Sequence, residues 1–538
     1  MLDSEKTGLP GGMAYTYDTD GHAGSGKSFD RRRYVVMLFS KTFIPTAREA
    51  QKNITDPSVA RLSRAGYLAA DQETRTLRLL PLGFLLWQRV ISDALDLARE
   101  EGLQVAGFED VPEDAMTVSR KLLKSYRQLP LTFFSGDMKR WIASGLAPDP
   151  GSAGDMRDRF LEMAGTLCRH AGLDPRSGET IKDGRKYISL ASSKGAWFAK
   201  EGFVCSSCSW CGDDASPAGP VERPGGEASP IKEVETPGAD TIAELCSQLG
   251  VEPAATMKTM FYAAEQGGTK EVLAVLARGD HQINDRKLSH VLGGAVVRFA
   301  DPLEIREAVG DLAGYLGPVG LPKGIKVLAD RHVEGSQGLV AGANKPGFHL
   351  LNVCWGRDFS PSVVADLVSI QEDLPCPACG SRIVPSHLAR VAVADKGSGP
   401  SELSFQGEGG TACNAYSWEG TLCITPLVLA LAGGDRIPGR YAPFDVNVLI
   451  ASMQNDDAVG LGNIMAERLE EKGLRVLLDE RNERAGVKFS DAELLGIPVT
   501  IVAGREASEG VVEAWLPDGS RGEMPADSII DQVLRWVR

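Results

Sequence analysis

Four cysteines stand in two C-x-x-C pairs, Cys205-Ser-Ser-Cys208 and Cys376-Pro-Ala-Cys379, and Cys211 follows the first pair. Such spacing lets two tight turns each present two thiolates to one ion. Four thiolates fill the tetrahedral shell of zinc and leave no position for water, so the predicted role is structural. Cys211 could take the place of Cys208 in that set. The other five cysteines are scattered and read as packing residues. A second pattern, Gly21-His-Ala-Gly-Ser-Gly26-Lys27-Ser28, satisfies G-x4-G-K-[ST]. A phosphate cradle of that kind needs a buried strand before it and a helix after it, so that backbone N–H groups converge. MAYTYDTD precedes and FDRRR follows, and neither reads as such an element, so the match is read as chance. A third set, Arg481, Glu483, Arg484 and Lys488, follows the apolar run that ends in LLD at Asp479. At the edge of a sheet, arginine forks and a carboxylate can read base edges while a lysine holds phosphate.

These groups need elements to hold them. A chain of 538 residues is too long for one core, and roughly two to four domains are expected. Hydrophobic residues at 43% and charged residues at 24% suit a soluble globular protein. No apolar run approaches the roughly 20 residues of a membrane helix. The first residues are acidic and polar with no secretory h-region, so the expected place is the cytoplasm, with no membrane partner. A net charge of -14 argues against a non-specific nucleic-acid coat, but a local basic stripe is enough for RNA. Residues 1–33 read as a disordered tail. Leu82–Glu101 has helical apolar spacing, and 213–238 is a Pro/Gly/Ala-rich linker. An α/β segment, 239–372, carries a predicted helix over Thr241–Leu249 and strands over Glu271–Ala277 and Gly324–Ala329. Residues 375–438 read as irregular and glycine-rich, and 440–538 alternate strand and helix around a mostly parallel sheet.

The run Leu477-Leu-Asp479-Glu480-Arg481-Asn-Glu483-Arg484-Ala-Gly486-Val-Lys488-Phe489, followed by Asp491 to Pro498, closely resembles the anticodon-binding domain of bacterial prolyl-tRNA synthetases. The middle segment resembles the editing insertion of the same family, which removes a wrong amino acid from tRNA. Its landmarks are Thr256-Met-Lys258-Thr, Ala277-Arg278-Gly279-Asp280-His281-Gln-Ile-Asn284, Gly314-Tyr-Leu-Gly317-Pro318, Ala329-Asp330-Arg331, and Gly342-Ala-Asn344 leading to His349. The resemblance implies that Lys258 is needed for deacylation, that Gly314, Gly317 and Pro318 shape the pocket through backbone, and that His349 lines the amino-acid pocket. Arg278, Asp280, His281, Asp330 and Asn344 are carried over as substrate-binding positions. A glycine-rich loop can offer amide N–H groups to an ester oxyanion, and a lysine can hold the terminal phosphate as a point charge. Some bacterial members also carry cysteine pairs at these two places, which supports zinc on Cys205, Cys208, Cys376 and Cys379.

The N-terminal part resembles the synthetase body at Leu80-Pro81-Leu-Gly83 and at Ser125-Tyr126-Arg127-Gln128-Leu129-Pro130-Leu-Thr-Phe133. There the match stops. Trp141 aligns with the motif 2 arginine that grips the α-phosphate, Pro426 with the motif 3 arginine, and Glu109 with the proline that closes motif 1. The proline-recognising T-x-E segment has no counterpart before Ser125. Each loss removes a charge-assisted contact, so adenylate formation and ATP as cofactor are not expected. The family forms homodimers, so the resemblance implies a homodimer as a possible assembly, an implication that Glu109 at the motif 1 proline puts in doubt.

The resulting fold class is α/β multidomain. A degenerate class II synthetase antiparallel-sheet body spans 34–212 and 373–438, an inserted α/β editing-like domain 239–372, and an α/β anticodon-binding domain 440–538. Such a chain takes its substrate ready-made, as aminoacyl-tRNA. The reading preferred from the sequence is transfer of the aminoacyl group to a small-molecule acceptor. The alternatives are an editing deacylase, a divergent but active proline–tRNA ligase, and a non-catalytic tRNA-binding regulator.

Overall fold

A computed structural model describes residues 36–49, 53–108, 113–180, 184–220, 228–310, 315–372, 374–395, 400–431 and 436–537. The N-terminal tail with its P-loop-like match, Glu109 and Gly314 lie outside the described residues. Among those described, no helix is long and apolar enough to cross a membrane.

The body is built on a ten-stranded sheet. Its spine runs through Ala199–Cys205, Ile383–Ala394, Ala412–Cys423, Arg140–Ala147 and Leu131–Gly136, every neighbour antiparallel. Three helices cover one face, Pro81–Glu100, Pro150–His170 and Ile424–Leu431. The first starts with proline at its first turn and buries Leu82, Leu86, Val90, Ala94 and Leu97, a stripe at helical spacing. The second is capped by Asp149, which accepts from the Ser152 N–H at 2.9 Å. Phe134, Phe160 and Trp418 pack between helices and sheet.

Residues 375–438, expected to be irregular, instead supply two of the longest strands, Ile383–Ala394 and Ala412–Cys423, and the helix Ile424–Leu431. The glycines misled. Gly145 lies under the Trp418 indole and Gly420 against the Phe160 ring, and a Cβ at either would overlap those rings. In a strand such a glycine marks a close approach rather than a loop.

The insertion holds a five-stranded sheet in the order Val296–Phe299, Met257–Gln266, Thr269–Arg278, Lys326–Asp330, Val363–Ala365. Its helix Ile242–Leu249 begins at Thr241, which forms a capping box with Glu244 and ends on Gly250 in the left-handed region. A smaller sheet joins Lys232–Glu235, Phe348–Val353 and Leu339–Gly342. Residues 232–235, inside the stretch expected as a linker, are therefore a strand. The C-terminal sheet runs Met37–Leu38, Val476–Asp479, Val446–Ile450, Val499–Ala503, Val511–Trp515, Arg521–Pro525. Its first four strands are parallel and the last two form an antiparallel hairpin. Met37–Leu38 is thus given to this sheet by a segment assigned from sequence to the body.

The body meets the C-terminal region at Asp93. Its buried carboxylate accepts from Arg440 Nη2 at 2.6 Å and from the Tyr441 hydroxyl, and lies 3.0 Å from His170 Nδ1. Tyr441 is wholly buried, and without Asp93 its hydroxyl keeps only the long contact to Leu167 O at 3.5 Å. Asp93→Ala should cost about 2–3 kcal/mol in denaturant unfolding. A loss below about 0.5 kcal/mol, the range of an ordinary surface change, would show that the cluster does not join the two parts.

Candidate functional site

His349 lies on the strand Phe348–Val353, opposite Gly342 on one side and Val234 on the other. It is buried, and its Nδ1 is 2.7 Å from Thr236 Oγ1. Burial pushes its pKa down, so the ring is neutral at pH 7. Tyr315 stands edge-on to it at 5.4 Å between ring centroids and donates its hydroxyl to Asp240 Oδ1 at 2.7 Å. Tyr315 and Asn344 both adopt positive φ, at 48° and 54°. Asn344 fastens the loop by donating its N–H to Tyr315 O, accepting from Gly317 N–H at 2.8 Å and donating Nδ2 to Val319 O. Gly317 and Gly342 approach so closely that a Cβ on either would overlap the other's backbone or its neighbour's. Gly317, Pro318, Asn344 and His349 are thus brought together. The Gly317 amide is already committed to Asn344, so it is not a free oxyanion donor. Thr236, which sequence reasoning missed, lies in the supposed linker, where nothing in the local pattern marks it.

Lys258 belongs to a different group. It pairs with Ala277 across the strands Met257–Gln266 and Thr269–Arg278. Its neighbour Met257 packs with Leu339, Ala341 and Leu350, on the side that carries His349. Alternate residues of a strand face opposite ways, so Lys258 is directed away from that side. Burial lowers its pKa and the nearby Asp280 partly restores it. Asp280 takes a bidentate contact from Arg278 at 2.7 and 2.6 Å. His281 is 1% exposed and Asp330 is fully buried. Burial pushes His281 down to about 4. Burial also works against the charge of Asp330, but hydrogen bonding and charge from His332, with the Leu367 amide, leave its carboxyl below the ordinary value. His281 and Asp330, expected to touch substrate, are sealed inside the insertion, because they end the central strands where the chain crosses from the body.

A cleft of about 1160 Å³ opens between the uncovered face of the body sheet and the insertion helix Asp285–Val291. Arg390, Thr421 and Cys423 line it from the sheet, Arg185 from the side and Arg286 from the helix. Arg390 lies over the Tyr187 ring at 4.2 Å, and Arg286 is paired with Asp213 and Asp214. Trp141 points to the opposite, helix-covered face, its ring 5.2 Å from that of Phe134. Pro426 is buried in the helix Ile424–Leu431.

The four cysteines converge. Cys205 Sγ is 3.5 Å from Cys379 Sγ, and Cys208 Sγ is 3.8 Å from Cys376 Sγ. All four lie within 4.8 Å of one another. Zinc–sulfur bonds of about 2.3 Å in a tetrahedron put sulfurs about 3.8 Å apart, so the set fits that ion. Backbone N–H groups of Ser207 and Ala378 point at Cys205 and Cys376 Sγ, and Arg176 donates to Cys205 O and Cys208 O. Cys211 is outside the set, its thiol pushed up to about 12 by burial.

In the C-terminal domain, Lys488 is wholly buried and donates to Ile450 O at 2.8 Å and Asp479 O at 3.3 Å. It anchors the loop from beneath, so the expectation that it holds phosphate is corrected. Arg481 is held by Asp479 at 2.9 and 2.7 Å and by Asp491 at 2.9 Å, and lies 3.5 Å over the Phe39 ring. Glu483 and Arg484 are exposed.

An aminoacyl-tRNA editing domain model matches residues 236–359 and an anticodon binding domain model matches 445–536. The chain is 29% identical to the proline–tRNA ligase of Heliobacterium modesticaldum, over 93% of this chain and 98% of that protein. It is 29% identical to the proline–tRNA ligase of Acidobacterium capsulatum over 88% and 95%, and 35% identical to that of Desulforamulus reducens over 51% and 49%. Over nearly its whole length the chain is similar to proline–tRNA ligases, and the two domain models fall within that similarity. The crystal structure of prolyl-tRNA synthetase from Cryptosporidium parvum, with L-proline and AMP, aligns with a TM-score of 0.47 at 10% identity, covering 91% of this chain and 77% of that one. In this chain the editing-domain match begins at Thr236, the partner of His349.

The two kinds of loop residue should separate by experiment. Lys488→Met removes two buried hydrogen bonds and should lower the melting temperature by several degrees. Arg484→Ala should leave stability unchanged and weaken tRNA binding by filter assay about tenfold, since one charged contact is worth roughly 1–2 kcal/mol. Equal loss of stability in both variants would contradict the division.

Proposed function

We propose that this protein binds aminoacyl-tRNA and moves the aminoacyl group from the tRNA to a small-molecule acceptor, without activating an amino acid itself. The observation that carries the reading is an asymmetry. His349 and Thr236 are buried and joined to each other, with the half-buried Tyr315 ring edge-on beside them, while Trp141 and Pro426, aligned with phosphate-gripping arginines, are packed in hydrocarbon. An ester is already activated, so the remaining chemistry is acyl transfer. His349 faces the amino-acid side chain, and the loop at Gly317 and Pro318 lies beside it; Lys258, on the opposite face of its strand, is given no contact with the same substrate. Glu483 and Arg484 face the anticodon. The cleft beneath the body sheet takes the acceptor. With water as acceptor the same site is an editing deacylase. Zinc on Cys205, Cys208, Cys376 and Cys379 supplies no chemistry beyond holding the two knuckles together.

A second reading, an active proline–tRNA ligase, is favoured by one feature: Arg185, Arg286 and Arg390 line the cleft, and arginines can grip phosphates. Proline-dependent ATP–pyrophosphate exchange separates the two. Background exchange is expected, and exchange well above it would establish the ligase. The transfer reading is checked with a panel of labelled aminoacyl-tRNAs, with and without a small-molecule extract, scored for loss of the ester. Lys258→Ala should leave that loss unchanged, because its side chain lies on the face of the strand turned away from His349. His349→Ala should change which amino acid is accepted. Ester stability across the whole panel would remove the reading.

A further inference from the structure

We propose a second metal site, formed by His281, Asp330 and His332, that holds a divalent ion of the zinc class inside the insertion. One ligand atom from each of the three lies within 4.8 Å of the others, and all three residues are buried. His332 Nε2 is 3.0 Å from Gly219 O, so that nitrogen carries the hydrogen and donates it. The lone pair of the neutral ring is then at Nδ1, which stands 2.8 Å from Asp330 Oδ1. That contact meets the distance but not the geometry of a hydrogen bond, and Nδ1 has no partner. With the ring neutral two lone-pair-bearing atoms face each other, and either a proton on Nδ1, which makes an ion pair with Asp330, or a metal ion makes that favourable. A proton on the ring would satisfy His332 alone. His281 Nδ1 is also buried without a partner, and its ring is 5.1 Å from that of His332. One ion answers both orphaned nitrogens.

The outer contacts follow the pattern that metal ligands require. A ligating histidine donates its other N–H to a carbonyl or carboxylate, and a ligating carboxylate is itself hydrogen-bonded. His332 donates to Gly219, and Asp330 accepts from the His332 N–H at 2.9 Å and the Leu367 N–H at 2.8 Å. Asp280 Oδ1 lies 3.7 Å from His281 Nε2. Two imidazoles and a carboxylate suit zinc, cobalt or nickel. Bonds of about 2.0–2.2 Å in a tetrahedron hold ligand atoms about 3.4 Å apart, so His332 Nδ1 and Asp330 Oδ1, now 2.8 Å apart, part slightly while His281 draws in. Exposures of 1%, 0% and 4% for His281, Asp330 and His332 make the site a clip rather than a centre open to substrate. It would join the ends of two central strands to the crossing segment at Gly219, where Arg331 also reaches the Ala218 carbonyl.

The test uses the purified full chain, dialysed free of loose metal, with metal content by mass spectrometry and zinc K-edge absorption. Two equivalents are expected, with sulfur scatterers at about 2.3 Å and nitrogen or oxygen scatterers at about 2.0 Å. His281→Ala and His332→Gln should each remove one equivalent together with the light-atom shell, while Cys379→Ser removes the sulfur shell and leaves it. One equivalent with an all-sulfur shell overturns the proposal even if a variant fails to fold, as does unchanged metal content in both histidine variants. One equivalent with a purely light-atom shell would support this site while removing zinc from the cysteines.

Discussion

Cys205 and Cys379 touch although 174 positions separate them, and Ile383 pairs with Cys205 across neighbouring strands of one sheet. A whole domain is spliced between two adjacent strands, so the chain must leave and re-enter the body at the same place. Closing a loop of that length costs about 4–5 kcal/mol of chain entropy by the logarithmic scaling. The strand pairing from Ile383 to Ala389 and the gathered thiols oppose that cost directly at the point of closure. Everything above it depends on this junction: the cleft exists only because the insertion helix Asp285–Val291 is held over the open face of the sheet.

The same junction explains why some polar residues of the recognisable motifs are not free to meet a substrate. Asp330, His281 and Arg278 sit where the central strands of the insertion end near the crossing segment, and they are used to seat it. Lys488 and Arg481 do the equivalent work in the C-terminal domain, one from below the loop and one flat on Phe39. A conspicuous charge in a motif can be there to shape the loop on which a neighbouring, less conspicuous charge is displayed. Glu483 and Arg484 are such neighbours.

Local pattern was enough for elements whose signals are local. The helix starting at Thr241, the apolar stripe of Pro81–Glu100 and the strand–helix alternation after residue 440 all appear where spacing and capping put them. The strands Ile383–Ala394 and Ala412–Cys423 were hidden because their identity depends on distant partners: Gly420 is a strand residue only because Phe160 comes to lie on it. Lys488 was misread because a lysine in a polar run looks solvated, and nothing nearby in sequence indicates that Ile450 O will reach it. Thr236 could not be found at all, since its importance comes from a histidine more than a hundred positions away. The cysteine pairs were legible because their spacing encodes the turn that each must make.

The short strand Met37–Leu38 closes the open edge of the C-terminal sheet beside Val476–Asp479. An uncovered parallel edge carries a row of unsatisfied N–H and C=O groups that invite another strand. The few residues that begin the described chain therefore act as a chaperoning strip for the part of the sequence farthest from them. A fragment made by trimming to the C-terminal domain alone would present that bare edge and would tend to self-associate, and a bulky label fused near residue 36 would stand beside the loop that carries Glu480 and Arg481 rather than out of the way.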